Sequence, residues 1–441
     1  MSVSPYQETL EQQVVDLLAE EDSPLYLMEP GITTISFFMG KIHEAYKFYS
    51  ERLVAVLQSN PWLAASLERN ASTSKLQMKF RRNLASDDEA LADLFGNSSY
   101  NTHPLLELKN DIKTISKSNT FEKNTNAARL ANAIVPSGYT LISQKSPVSK
   151  FLLVPDSEGG GFALVASISH AVADGYTYYS ILGMLSPNAP INALVQTRRP
   201  GFTEHHMKLV GEEQNKFIMS MNMYTIGMMF GAMCCCCCQN KSVVSHYLDN
   251  EKVQRLKNEV VSKGEVQYVS TTDLITSHFG NLEEFTLLQY AMNLRRRLPL
   301  VLTDLDSGNY ETALLLNKEI YSSSENVRKM FNNKVEDEAF AHAGSAGSDP
   351  LPKGCAAFNA TSGIVTSWIF DSYSGDLSFG DCEMVLHTPC LETAGMPLSI
   401  CVIFKATPTR LGVLYVVNPR SVSKLITNTD SPLSNENVLV N

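Results

Sequence analysis

A chain of 441 residues, 44% hydrophobic and 19% charged, has the composition of a globular protein and the length for one large core or two domains of about 150 to 200 residues each. Its net charge of −10 excludes the basic face that a nucleic-acid backbone requires. Five of the nine cysteines are consecutive, Cys234 to Cys238. They suit neither a disulfide framework nor, elsewhere in the chain, a CxxC zinc spacing, so a reduced, cytoplasmic setting with no bound metal is expected. The first residues, Met1 to Glu8, lack the basic flank and apolar run of a signal peptide.

In chain order, Thr33 to Gly40 is rich in β-branched and aromatic residues and reads as a strand. Ile42, Ala45, Tyr46, Tyr49, Leu53, Val56 and Leu57 follow at helical spacing, and Asn60-Pro61 ends that helix. Trp62 to Leu67 and Leu76 to Phe80 flank the polar turn Asn70 to Ser74, the pattern of a hairpin. Residues 81–130 are polar and mixed, with one short helix near Glu89 to Phe95. Phe151 to Val154 and Gly161 to Ser169 make a second hairpin around Pro155 to Gly160, where glycine supplies the positive φ of the turn.

That hairpin delivers Ser169-His170-Ala171-Val172-Ala173-Asp174-Gly175. The order is a buried strand, an imidazole at its end, a tight turn at Asp174-Gly175, then an aromatic-rich helix from Tyr176. A histidine so placed can sit at the base of a cleft and take a proton from a hydroxyl or amine. On these residues alone, a core histidine beside a capping aspartate is the favoured reading.

Residues 188–216, with Pro190, Pro200 and scattered charge, read as a loop-like crossing between two halves. Phe217 to Cys238 carries no charge over 22 residues, the length of a membrane span, with Lys216 and Lys241 just outside. Ser220, Asn222, Thr225, Gly227 and Gly231 dilute it. A shallow membrane contact, with S-acylated cysteines, and a buried or low-complexity insertion stand level; a true span ranks below both. The second half is regular again. Val243 to Leu248 is a strand, and Asp249 caps a helix from Glu251 to Lys263. Another helix starts at Ser270 to Asp273, and Phe285 to Leu294 is a strand ending in Arg295-Arg296-Arg297. A helical segment lies around Glu325 to Asn333, a surface loop from Glu336 to Lys353, and further strands at Gly363 to Ile369, Leu398 to Phe404 and Gly412 to Val417.

In this order the pieces resemble the BAHD acyltransferase family. The His-x-x-x-Asp-Gly motif is matched by His170, Asp174 and Gly175, flanked by Ser23-Pro24-Leu25, Asn60-Pro61-Trp62-Leu63, Ser270-Thr271-Thr272-Asp273, Asn293 to Pro299 with Gly308-Asn309, and Thr366-Ser367-Trp368. Three departures stand out. The family's Asp-Phe-Gly-Trp-Gly, chiefly architectural, is here Ser378 to Cys382 and keeps only the Phe-Gly pair. Ser169 replaces the extra histidine of many condensation domains. The uncharged stretch has no family counterpart.

The resemblance implies an α/β fold of two similar mixed-sheet domains, like chloramphenicol acetyltransferase, with a solvent channel between them. The expected division is 1–190, a crossover with the insertion at 191–241, and 242–441. It implies acyl transfer from a CoA thioester, used as co-substrate, to a small-molecule alcohol or amine. His170 is then the base, and Asp174 sits beside it at the catalytic centre in an architectural ion pair with Arg295 or Arg297. Gly175 lets the backbone turn closely. Thr366 and Trp368 are candidates for the oxyanion or channel wall, each also read as plain packing. Ser270, Thr271 and Thr272 are candidates for the pantetheine or phosphate end of CoA, and the arginine run for the CoA phosphates or a solvated strand end. A monomer is expected, cytoplasmic or membrane-associated through 217–238. Two alternatives stay open: a membrane-associated lipid alcohol (wax ester-type) acyltransferase and a catalytically silent binding or scaffold member of the fold.

Overall fold

The computed structural model describes residues 12–29, 31–82, 134–155, 160–219, 222–227, 230, 241–332, 351–391, 398–427 and 431–438. Its strands are β1 Gln12–Asp16, β2 Ile32–Met39, β3 Ser66–Arg69, β4 Leu76–Arg81, β5 Ser149–Pro155, β6 Gly161–Ile168, β7 Ser242–Leu248, β8 Leu287–Asn293, β9 Glu311–Leu316, β10 Ser362–Ser367, β11 Glu383–Pro389, β12 Ser399–Lys405, β13 Leu411–Val417 and β14 Leu433–Asn437. They form a three-stranded sheet (β1-β4-β3), a four-stranded sheet (β11-β2-β6-β5) and a seven-stranded sheet (β14-β7-β13-β12-β10-β8-β9). The two halves are therefore unequal. The four-stranded sheet is antiparallel throughout, whereas in the large sheet β10 runs parallel to both β12 and β8.

The long apolar runs are explained by sheets covered on both faces, which removes the polar alternation of a half-solvated strand. All eight residues of β6 are buried. Along β12 and β13, Val402, Phe404, Leu414 and Val416 point into the core of the first half. Their neighbours Cys401, Ile403, Val413, Tyr415 and Val417 point into the core under the helices of the second. One face of the large sheet is thus the wall between the halves.

Strand pairing crosses the expected boundaries at 190 and 241. Strand β11, far along the second half, pairs with β2 in the first half's sheet, with a register shift between Met384 and Leu386. The Ser378 to Cys382 segment leads the chain there. The Phe379 ring stacks on Phe48 at 4.2 Å and lies edge-on to Tyr49. Gly40 has φ +130°, and a Cβ there would lie 2.7 Å from Cys382 Sγ, so this corner closes only around glycine.

The helix Ile42–Ser59 buries Ala45, Tyr49, Leu53, Val56 and Leu57, and β3 and β4 pair as a hairpin, but the stretch read as strand from Trp62 begins as a turn of 3-10 helix, Pro61–Ala64, and the strand starts only at Ser66. Residues 188–216 are not all loop: helices run Phe202–Val210 and Glu212–Met219. Phe202, His206, Leu209 and Val210 make a buried stripe, which the interspersed charges of Glu204 and Lys208, an i,i+4 ion pair, mask in the sequence. The described part of the uncharged stretch is seated on the protein. Phe217 stacks on Tyr224, whose buried hydroxyl bonds Ser362 Oγ at 2.6 Å and accepts from Gln289 Nε2. Among the described residues no helix is long and apolar enough to cross a membrane. Gly160 opens β6 without a left-handed φ. Gly159, Cys234 to Cys238, the short helix at 89–95 and the loop from 336 to 350 lie outside the described residues.

Asn60 ties this framework together. Its side chain accepts from Leu194 N and donates to Asn192 O, both at 2.9 Å, fastening the crossover to the end of the Ile42–Ser59 helix. Asn60→Ala strands these buried groups and should cost about 1–3 kcal/mol, read as a lower denaturation midpoint at unchanged m-value.

Candidate active site

Strand β6 ends at Ile168, and the turn Ser169 to Ala173 carries His170 to the junction of four segments. The first is 17–29, ending in the short helix Pro24–Met28; the others are the crossover around Arg198, the turn after β8, and the 303–309 loop that leads into β9. Arg198 and Glu21 bind these pieces together. Arg198 Nη2 lies 2.8 Å from Glu21 Oε1, Nε donates to Oε2, and its other N–H groups reach Val172 O, Ser307 O and Gln196 O. Gly308 has φ +134°, and a Cβ there would meet the Arg198 guanidinium at 2.8 Å, so glycine is required beside Asn309.

Asn309 orients the histidine. Its Nδ2 donates to His170 O at 2.7 Å and to Glu21 Oε1 at 3.3 Å, which turns Oδ1 toward the ring, 3.1 Å from Nδ1. With both amide donors engaged by acceptors, Oδ1 must receive the Nδ1 proton. The neutral ring then carries its lone pair on Nε2. Tyr26 lies against the imidazole at 5.0 Å between ring centroids.

Two carboxylates face Nε2: Glu29 Oε2 at 3.6 Å and Glu311 Oε1 at 3.7 Å. Burial by itself would hold His170 neutral, but Glu29 and then Glu311 outweigh it, and the ring titrates above its ordinary 6.5. Burial raises both acids in turn, Glu29 above the usual carboxylate range and Glu311 to about 7, with the His170 charge opposing. Glu29 stays 42% exposed and Glu311 20%, so water reaches the first more readily.

Asp174 faces away from the imidazole. It caps the helix Gly175–Gly183 by accepting from Thr177 N. It also accepts Tyr310 N at 3.0 Å and pairs with Arg295, Nη1 to Oδ2 at 2.6 Å and Nη2 to Oδ1 at 3.2 Å. Arg295 is fully buried and donates further to Thr177 Oγ1, Gly308 O and Asp306 O. Asp174 makes no hydrogen bond to His170. Arg297 is not its partner: the turn splays the three arginines, sending Arg296 to Asp304 and Asp371 and Arg297 over the Phe331 ring.

The other sequence candidates lie apart. Gly175 is the first residue of its helix with an ordinary φ, and a Cβ would find van der Waals contact with Phe370 and Trp368, so no close turn depends on it. Trp368 is a core residue near Tyr179, and Thr366 sits in β10 opposite Val402. Ser270 and Asp273 form a reciprocal capping box, and Arg328 Nε donates to Asp273 at 2.8 Å. Thr271 Oγ1 accepts from Lys257 Nζ at 3.0 Å, while Thr272 O accepts from Thr276. None of these bonds reaches the residues around His170. Sequence reasoning missed Glu29, Glu311, Asn309 as orienter, Lys257, and the Glu21–Arg198 pair. Only the Gly308-Asn309 signature pointed to one of them.

No family model and no curated protein matches the sequence. Solved structures do. TRI101 of F. graminearum, complexed with coenzyme A and deoxynivalenol, superposes with TM-score 0.58 at 14% identity, covering 95% of this chain and 98% of that one. The chain has the fold of the BAHD-like acyltransferases. TRI3 trichothecene 15-O-acetyltransferase from Fusarium sporotrichioides gives 0.56 at 10% identity, covering 94% of each chain. Vinorine synthase gives 0.55 at 13%, covering 99% of this chain and 97% of that one.

Two outcomes follow from this geometry. Asp174→Asn leaves Arg295 charged and buried without its partner, so it should destabilise by about 3–5 kcal/mol, measured by chemical denaturation. In an NMR titration the His170 ring should have its midpoint above 6.5. Glu311→Gln removes a carboxylate that favours the charged ring, so the midpoint should move toward acid; a midpoint that stays put means that Glu311 does not act on the ring.

Proposed function

We propose that this protein is an acyltransferase that moves an acyl group from a CoA thioester to the hydroxyl or amine of a small-molecule acceptor. One observation carries the reading: an imidazole whose Nδ1 is held by Asn309 so that Nε2 presents its lone pair, in a fold shared with enzymes solved with coenzyme A.

His170 acts as the general base. As the acceptor atom attacks the thioester carbonyl, Nε2 takes its proton; the tetrahedral intermediate collapses, the C–S bond breaks, and the imidazolium protonates the departing CoA sulfur. Asp174 and Arg295 hold the turn that presents His170 and exchange no proton with substrate. The ring must be neutral to act. Because neighbouring carboxylates raise its titration, the active fraction grows as pH rises through a midpoint above 6.5.

Thr271, with Lys257 Nζ at 3.0 Å, offers a hydroxyl and a cation together, a pair suited to a CoA phosphate. Burial pulls the Lys257 pKa down, with Asp273 opposing. Ser270 is already engaged as the helix cap.

The test is thiol release from a panel of acyl-CoAs against small alcohols and amines, with products read by mass spectrometry. His170→Ala should lower turnover by at least about a hundredfold, the usual scale of general-base catalysis, while the circular dichroism spectrum and melting transition stay those of the parent. Turnover retained in a folded His170→Ala protein would remove His170 from the role of base.

A further inference from the structure

We infer that the acceptor is a positively charged primary amine, bound by Glu29 and Glu311 at His170, and that the reaction forms an amide. This rests on the acyl-transfer reading above and names the acceptor class for the same site.

The charges around the histidine do not balance. Asp174 is neutralised by Arg295 and Glu21 by Arg198, each pair buried. Glu29 and Glu311 have no such partner: among the described residues neither forms an ion pair with a lysine or arginine, and both carboxylates turn to His170 Nε2, at 3.6 and 3.7 Å. Nε2 is the atom that must meet the acceptor. Both acids keep an accessible surface. The group that fits against Nε2 between two carboxylates is a cationic hydrogen-bond donor, and Tyr26, beside the ring, adds an aromatic face of the kind that attracts ammonium groups.

Proton counting points the same way. An alcohol has one proton to lose during attack, and one base suffices. A primary ammonium must lose one proton to become a nucleophile and a second as the C–N bond forms. The site has a base for each. The Glu311 carboxylate takes the first proton; its pKa, raised to about 7, makes that uphill transfer less costly than to an ordinary carboxylate. His170 takes the second and delivers it to the CoA sulfur as the C–S bond breaks. The products are the amide and the free thiol; the proton on Glu311 returns to water, and no other reactant is needed. A bound ammonium beside the same two acids also disfavours a second positive charge on the ring, which moves the His170 titration back toward the neutral form that it needs as a base.

The experiment compares two probes of the same length, 1,4-diaminobutane and 1,4-butanediol, on the full chain. Calorimetric binding without any acyl donor reads charge selection independently of turnover. The diamine should bind about tenfold more tightly than the diol, the scale of one to two partly screened ion pairs. Glu29→Gln/Glu311→Gln, with its melting transition checked, should abolish that advantage, and His170→Ala should keep it. Equal binding of the two probes, no diamine binding, or an advantage that survives the double substitution would overturn the inference. Thiol release then separates the two readings. Turnover that requires His170 and favours the diol leaves acyl transfer standing and removes the amine. Diamine selectivity with no thiol released from any acyl-CoA removes acyl transfer and leaves a cation-binding site.

Discussion

The buried pair between Asp174 and Arg295 is the interaction on which the site depends. Two ions held at 1% and 0% exposure lose hydration worth several kcal/mol each, and only saturated hydrogen bonding offsets that loss. Both Asp174 oxygens are filled by Thr177 N, Tyr310 N and the two Arg295 Nη groups. The remaining Arg295 donors reach Asn293, Asp306, Thr177 and Gly308. These partners come from the start of the helix after His170, the end of β8 and the approach to β9. The pair is satisfied only when all three are in register, so it fixes where Asn309 stands relative to His170.

A second pair, Glu21 with Arg198, extends this control. Glu21 Oε1 accepts from both the backbone N and the side chain of Asn309, while Oε2 accepts from Leu18 N and Arg198 Nε. The residue that turns the imidazole is thus itself held by an acid from the amino-terminal segment and, through it, by an arginine from the crossover. Because the large sheet is covered on both faces, its first-half wall and second-half wall are the two sides of the same strands. Behind the site lies a packed core, and beside it the Asp174–Arg295 and Glu21–Arg198 pairs, each satisfied by several further hydrogen bonds.

How much of this could be read in the chain depended on range. The helix Ile42–Ser59, the β5–β6 hairpin and strands β7, β8, β10, β12 and β13 carry their own local patterns, and the sequence reading placed them. Strand β11 does not: it buries His387 and Thr388, and a strand that hides polar groups looks locally like a loop. Its stability comes from Ser36 Oγ and Tyr179 OH on the two His387 nitrogens, partners more than 200 residues away in sequence. The helix Phe202–Val210 was hidden because its stripe is short and charged residues interrupt it. At the site, His170 and the Asp174–Arg295 pair were legible through ordered motifs. Glu29 and Glu311, 282 positions apart, belong to no motif. Nothing in either neighbourhood signals that folding will bring both to one nitrogen.

In the proposed acyl transfer, those two acids set a condition on how the histidine would work as a base. Burial lowers the titration of the ring, but the two carboxylates at Nε2 outweigh it and raise it above its ordinary value, and a charged ring cannot accept a proton. The ring gains its neutral form as pH rises through that titration, or when another positive charge answers Glu29 and Glu311. A neutral acceptor would supply no such counter-charge; by displacing water it would strengthen the attraction between a charged ring and the acids. A cationic acceptor reverses the balance, since a second positive charge beside the same carboxylates repels the first. Under the proposed reaction, the orientation by Asn309 and the acidity around Nε2 are therefore two parts of one device: the amide fixes which nitrogen presents its lone pair, and the carboxylates would tie its action to the charge of the molecule that arrives.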